Sequence, residues 1–173
     1  IPEEVINFIL NSLRGTELIF KTSTGKGYTD AIPMHKAIKQ GCPLAPLLFI
    51  ILMDPLHSGC RRIGGYHLAT QHKTIGSRGY VDDTTLIAND IKTMRKLNAW
   101  TNRFMLRHGL DLNRTKTFLT GRDRDGADTS STLEWTTTSG EQFTIHPQPT
   151  ATSTRYLGML INMNLDWTDQ IKT

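Results

Sequence analysis

Gly79-Tyr80-Val81-Asp82-Asp83-Thr84-Thr85-Leu86-Ile87-Ala88 sets two adjacent carboxylates inside an apolar, β-branched stretch. Tyr80, Val81, Thr84, Thr85, Leu86 and Ile87 favour strand, and the two aspartates stand where that strand must break. The pattern predicts a tight β-hairpin with both carboxylates at its tip. Such a tip can hold a hard divalent cation, because Mg2+ takes oxygen ligands and often only one or two protein carboxylates. The same residues also read as a polar two-residue turn, since Asp is a common turn residue. Both readings are open on these ten residues alone.

The surroundings narrow the choice. A chain of 173 residues suits one domain or most of one, and 38% hydrophobic content supports a core. The longest apolar run, Leu47 to Met53, is far too short to cross a bilayer. Ile1-Pro2-Glu3-Glu4 lacks the basic start and small-residue cleavage site of a signal peptide, and without an initiator Met the chain is expected to begin inside a longer protein. Cys42 and Cys60 make no disulfide framework, so a reducing compartment is the default. The net charge of +4 is unevenly spread: residues 61–120 carry eleven Lys/Arg against four Asp/Glu, while residues 121–173 carry four against seven. Carboxylates set among cations suggest a phosphate-rich partner around a metal site, with a solvated basic helix face as the alternative.

Upstream of the hairpin, Pro2 to Leu13 reads as a helix with Ile6, Ile9, Leu10 and Leu13 on one stripe, closed by Gly15. Glu17 to Thr22 and Asp30 to Lys39 read as strands joined around Gly25-Lys26-Gly27. Leu47 to Met53 is apolar all round and predicts a helix buried in the core, kinked or ended by Pro55. Arg61 to Arg78 reads as a basic loop with at most one short strand. Downstream, Asn89 or Asp90 can cap a helix running to His108, with Met94, Leu97, Thr101, Phe104, Met105 and His108 on one side and Gly109 as its stop. Thr115 to Thr120 is expected as a strand, Gly121 to Ser131 as a polar, mobile loop, Leu133 to Ile145 as a hairpin around Ser139-Gly140, and Arg155 to Asn162 as a last strand. Interleaved helices and strands of this kind predict an α+β class.

In this order the segments resemble a reverse transcriptase palm, most closely that of the non-LTR (LINE-type) retrotransposon branch. Gln40-Gly41-Cys42-Pro43-Leu44-Ala45-Pro46-Leu47-Leu48-Phe49 is similar to the family's motif B, with Ala45 where Ser is usual. Tyr80-Val81-Asp82-Asp83 resembles motif C, the metal-binding hairpin. Gly109-Leu110-Asp111-Leu112-Asn113-Arg114-Thr115-Lys116-Thr117 resembles motif D, and Tyr156-Leu157-Gly158-Met159-Leu160-Ile161 resembles motif E, the primer grip. The opening Ile1-Pro2-Glu3-Glu4-Val5-Ile6 is similar to the helix that follows motif A. The implied fold is a polymerase palm, an antiparallel sheet backed by helices around a ferredoxin-like core, incomplete at both ends. Residues 1–162 would be the partial palm and 163–173 the start of a connection to the thumb. The motif A aspartate would lie upstream of Ile1, so the fragment alone is expected to be inactive.

The resemblance also implies roles. Asp82 and Asp83 would bind Mg2+, with Mn2+ as a substitute, Asp82 as the shared ligand and Asp83 in second place. Lys116 would be the general acid for departing pyrophosphate, Gln40 and Gly41 would lie against the template–nucleotide pair, and Tyr156, Leu157 and Gly158 would form the primer grip. Partners would be an RNA template, a DNA primer, deoxynucleoside triphosphates and the parent's remaining polymerase domains, with no membrane, in nucleus or cytoplasm. The competing readings are the palm of an RNA-dependent RNA polymerase and a non-catalytic nucleic-acid-binding remnant of a retroelement. Each role has a bland counterpart: an exposed lysine at 116, a helix-leading turn at 40–46, and a core strand with a glycine bulge at 156–158. His57, Cys60, His67 and His72 include an H-x4-H spacing, but the other zinc half-site would be one His and one Cys on a helix end. His67 and His72 are therefore expected as loop or nucleic-acid contacts.

Overall fold

A computed structural model describes residues 2–21, 23, 27–33 and 41–172. These fall into two units, Ile1–Ala45 and Pro46–Thr173. In the first, α1 (Glu3–Leu13) starts at Pro2, whose carbonyl accepts from the Val5 and Ile6 N–H groups, and it carries Glu3 and Glu4 at the positive end of its dipole. Strands β1 (Glu17–Leu18) and β2 (Ile32–Pro33) pair antiparallel, with a further bridge between Lys21 and Tyr28. The remainder of the second expected strand, 34–39, lies outside the described residues.

The second unit is built on two helices. Helix α2 (Ala45–Ile63) is longer than the sequence pattern predicts, because it runs through Pro55. A proline at that position removes the donor for the Ile51 carbonyl. Ile51 is an exposed residue, which leaves water free to take the donor's place. The expected burial all round is likewise corrected. Leu47, Ile50 and Ile51 are about half exposed, and the buried positions are Met53, Leu56, Gly59 and Cys60 further along. Helix α3 (Ile91–His108) has the predicted ends. Asp90 accepts from the Thr93 N–H at 2.8 Å, and Gly109 closes the helix at φ +66°.

Met53, Leu56 and Cys60 of α2 meet Leu97 and Phe104 of α3 in one core cluster. The Trp100 indole N–H donates to the Leu56 carbonyl at 3.0 Å and fixes the crossing of the two helices. On its other side α3 faces a hairpin, β7 (Leu133–Thr136) and β8 (Gln142–Ile145), through a second cluster of Leu119, Leu133, Trp135 and Ile145. Asn98 donates to the Glu134 carbonyl at 2.7 Å, while Asn102 donates to the Thr136 carbonyl at 2.7 Å and accepts from its N–H at 3.2 Å.

Between the helices the stretch read as a basic loop is instead the C-terminal turn of α2 and a hairpin, β3 (Tyr66–Leu68) with β4 (Lys73–Ile75). Next come β5 (Ser77–Tyr80) and β6 (Asp83–Leu86), and near the end of the chain β9 (Thr154–Tyr156), β10 (Met159–Ile161) and α4 (Thr168–Ile171). The expected single strand over 155–162 is thus a hairpin, because Leu157 and Gly158 both take positive φ and reverse the chain. The class is α+β, and every strand ladder among the described residues is antiparallel, with one isolated parallel bridge between Leu119 and Pro147. Among the described residues the strands, two to four residues long, form five separate two-stranded ladders.

Candidate active site

The β5–β6 hairpin pairs Ser77 with Leu86, Gly79 with Thr84 and Tyr80 with Asp83, leaving Val81 and Asp82 as a two-residue loop. The carboxylates are therefore placed a little differently from the expectation. Asp82 is at the tip, and Asp83 is the first residue of the returning strand. Val81 stands at φ +51°, an outlier for a β-branched residue, and such strain costs on the order of 1–3 kcal/mol. Asp82 and Asp83 are exposed, and neither carboxylate accepts a hydrogen bond or forms an ion pair among the described residues. Adjacent, solvent-facing and unengaged carboxylates fit Mg2+, which keeps several waters and binds through one or two carboxylates plus phosphate oxygens. They do not form a closed cage, since no group of three or more His, Cys, Asp or Glu converges among the described residues.

The base of the hairpin is closely packed. Ser77 is buried, and its Oγ lies 2.9 Å from His57 Nδ1 of α2, in a hydrogen bond whose donor depends on the imidazole tautomer. A Cβ on Gly79 would fall 2.5 Å from His57 Nε2, so only glycine lets β5 lie on that ring. Gly76 is as tightly placed, with the Gly64 carbonyl oxygen 2.3 Å from where its Cβ would be. Burial, then the Arg61 charge, holds the His57 imidazole below its ordinary value, with Asp54 opposing. Burial pushes the Cys60 thiol up. His57 is thus a neutral ring wedged under the hairpin. In the sequence His57 lies beyond the helix expected over Leu47 to Met53, past Pro55, and its only reading there is as part of a zinc scatter. That scatter does not converge: His57 is engaged with Ser77, Cys60 is fully buried, and His72 takes φ +50° at the end of a short 3-10 turn.

No hydrogen bond or ion pair among the described residues links Asp82 or Asp83 to Lys116 or to Tyr156–Gly158. Lys116 is exposed in a turn, and the expected strand from Thr115 is absent. Asn113 Oδ1 accepts from the Thr115 N–H at 3.1 Å and hydroxyl at 2.7 Å, and the Asn113 carbonyl accepts from the Lys116 N–H. Asn side chains compete with extended pairing in this way. The turn is held on the β7–β8 hairpin by Arg114, which pairs with Glu141 at 2.5 Å and lies over the Phe143 ring. Asp111 adds to this by accepting from the Thr138 N–H at 2.9 Å. Tyr156 ends β9 opposite Met159, with Leu157 exposed in the loop. Gly41 is exposed at φ +86° in the first unit, and Gln40 lies outside the described residues.

A carboxylate-tipped hairpin packed on helices within an α+β unit is consistent with a polymerase palm. The family follows from comparison with known proteins. A family model described as "Reverse transcriptase (RNA-dependent DNA polymerase)" matches residues 3–161, and the chain belongs to that family. It is 30% identical over 117 residues to the "Retrovirus-related Pol polyprotein from type-1 retrotransposable element R2" of Popillia japonica. That match covers 67% of this chain and 16% of the relative, so the chain spans well under a quarter of that protein's length.

Proposed function

We propose that this chain supplies the catalytic palm of an RNA-directed DNA polymerase from a non-LTR retroelement, extending a DNA primer on an RNA template with deoxynucleoside triphosphates. The observation that carries this reading is the pair of unengaged carboxylates, Asp82 and Asp83, on a hairpin whose base is fixed by His57, Ser77 and Gly79. Asp82 and Asp83 hold divalent metal, Mg2+ or Mn2+, with a further carboxylate from the family's motif A. When bound, the metal lowers the pKa of the primer 3′-hydroxyl and neutralises charge at the reacting phosphate. Lys116 is positioned in a solvent-facing turn from which an ammonium can donate a proton to departing pyrophosphate. Tyr156, Leu157 and Gly158 seat the primer end on a two-residue loop. Gln40 and Gly41 contact the template–nucleotide pair, and glycine at 41 permits close backbone approach. Residues 1–162 form the palm portion, and 163–173 lead toward the thumb. No helix among the described residues is long and apolar enough to cross a membrane.

Primer extension by the full-length protein tests the reading. RNA template with deoxynucleotides and Mg2+ is expected to support extension, and ribonucleotides are not. A preference for ribonucleotides would favour the RNA-dependent RNA polymerase instead. Equal extension by wild type and Asp82→Asn would sink the metal-site assignment.

A further inference from the structure

The cations of residues 61–120 are spread over several elements, with Arg78 on the β5–β6 hairpin itself. Five of the eleven, Lys92, Arg95, Lys96, Arg103 and Arg107, lie on α3, which has no Asp or Glu in its span. At about 100° per residue, Lys92, Lys96, Arg103 and Arg107 fall within roughly 60° of one another. All four are exposed, on the side of α3 away from the buried Leu97, Thr101 and Phe104. None is paired with a carboxylate among the described residues. The acid next to the helix, Asp90, is occupied by the Thr93 N–H and hydroxyl.

A merely solvated helix face mixes signs, because opposite charges at i and i+4 stabilise it and like charges there destabilise it. Here Lys92/Lys96 and Arg103/Arg107 are both like-charge i, i+4 pairs. The first also sits at the positive end of the helix dipole, where cations are unfavourable. The N-cap Asp90 and the negative end of the dipole at Arg107 offset part of this repulsion, and with no acid within the helix span an external polyanion would offset the rest. The stripe is about 22 Å long at 1.5 Å per residue, the length of roughly six base pairs of duplex. Its exposed side carries no aromatic residue on which unpaired bases could stack, since Trp100 is committed to Leu56.

We propose that Lys92, Lys96, Arg103 and Arg107 form a second docking surface, separate from the carboxylate hairpin, for the phosphate backbone of duplex nucleic acid. Contacts of this type position a duplex without reading its sequence. In a retroelement polymerase the stripe would hold a second stretch of duplex while another occupies the catalytic hairpin, an inference that goes beyond the polymerase reading.

The test uses the full-length protein loaded with one primer–template and titrated with a second, fluorescent blunt duplex across a salt series. Wild type is expected to bind the second duplex regardless of sequence. The combined Lys92→Gln, Lys96→Gln, Arg103→Gln, Arg107→Gln variant is expected to lower the slope of log affinity against log salt by about three to four. Lys92→Arg with Lys96→Arg should keep the wild-type slope, which separates lost charge from lost structure. Asp82→Asn should lose extension and keep the second duplex. Retained extension there would defeat the polymerase reading and leave the stripe standing. The stripe is overturned if wild type binds no second duplex, if the fourfold variant keeps the full slope, or if that variant loses only binding to phosphatidylserine vesicles.

Discussion

Two hairpins of this chain have loops of the same length and different construction. Both β5–β6 and β9–β10 turn through two residues, and both place the first of these in the left-handed region, Val81 at φ +51° and Leu157 at φ +49°. In β9–β10 the second loop residue is Gly158 at φ +85°, which satisfies a turn needing positive φ twice. In β5–β6 that place is taken by Asp82. The two also differ at their bases. The β9–β10 pair is tied by polar side chains, with half-buried Gln170 accepting from the Leu160 N–H at 2.6 Å and exposed Asp169 accepting from the Ser153 hydroxyl at 2.6 Å. The β5–β6 pair rests on buried Ser77, on His57 and on the α2–α3 core. Both loops thus carry a non-glycine residue in the left-handed region, and the β-branched Val81, where that φ is costlier than at Leu157, is the one seated over a buried base.

The sharpest way to break this contrast is at the tip. Asp82→Asn should lower primer extension by about 10²-fold or more, the scale of one preorganised electrostatic contact, without altering the melting profile of the protein. Next comes the seat. Gly79→Val should destabilise the hairpin locally by about 1–3 kcal/mol through overpacking against His57, read as faster amide exchange at Tyr80 and Thr84. Adding His57→Ala should restore part of that loss, and no restoration would mean that His57 does not set the spacing. At the other hairpin, Gly158→Ala should cost about 1–2 kcal/mol by forcing a Cβ into the left-handed region, seen in exchange at Met159.

Acidification gives a smaller effect. His57 is held below the ordinary imidazole value of 6.5, mainly by burial and next by Arg61, with Arg78 adding and Asp54 opposing. The unfolded chain therefore takes up a proton near pH 6.5 that the folded chain does not, so the contribution is complete above pH 6.5 and is lost as pH falls through the folded value. His57→Gln, which keeps a partner for Ser77, should flatten this dependence between pH 7 and 5 in β5–β6 amide exchange. Smallest of all is Val81→Gly, where relief of strain of about 1 kcal/mol is offset by glycine's backbone entropy of about 0.5–1 kcal/mol. A large change there would mean that the strain at Val81 is not borne by the closely packed base.

The parts of this fold legible in the sequence are those decided by short-range chemistry. Asp90 and Gly109 announce the ends of α3, because a cap needs only one side chain or one left-handed residue. Strand formers around Asp82-Asp83 announce the hairpin for the same local reason, and the order of the motifs around it carries the family. What stayed hidden depends on partners distant in the chain. Pro55 lies within α2, and nothing near it in sequence says that the helix continues to the contacts of Leu56 and Cys60 with Leu97. Gly79 reads as a strand residue until His57, twenty-two positions earlier, is placed beneath it. The turn at Asn113–Thr117 overrides the β propensity of Thr115 and Thr117, because the Asn113 side chain takes up the Thr115 N–H and hydroxyl. The basic third reads as one charge cloud, and only the helix phase gathers Lys92, Lys96, Arg103 and Arg107 onto one face of α3.

Asn98 and Asn102 of α3 have a consequence for solubility. One turn apart, their amides meet the outer edge of β7 at Glu134 and Thr136, on the side away from β8. An uncovered strand edge is a template for pairing with other chains. The helix acts there as a sham neighbour strand, with two side-chain amides taking the places of backbone groups. Replacing both by Ala would open β7 to edge-to-edge association, so these two residues guard against aggregation in a unit whose ladders are each only two strands wide.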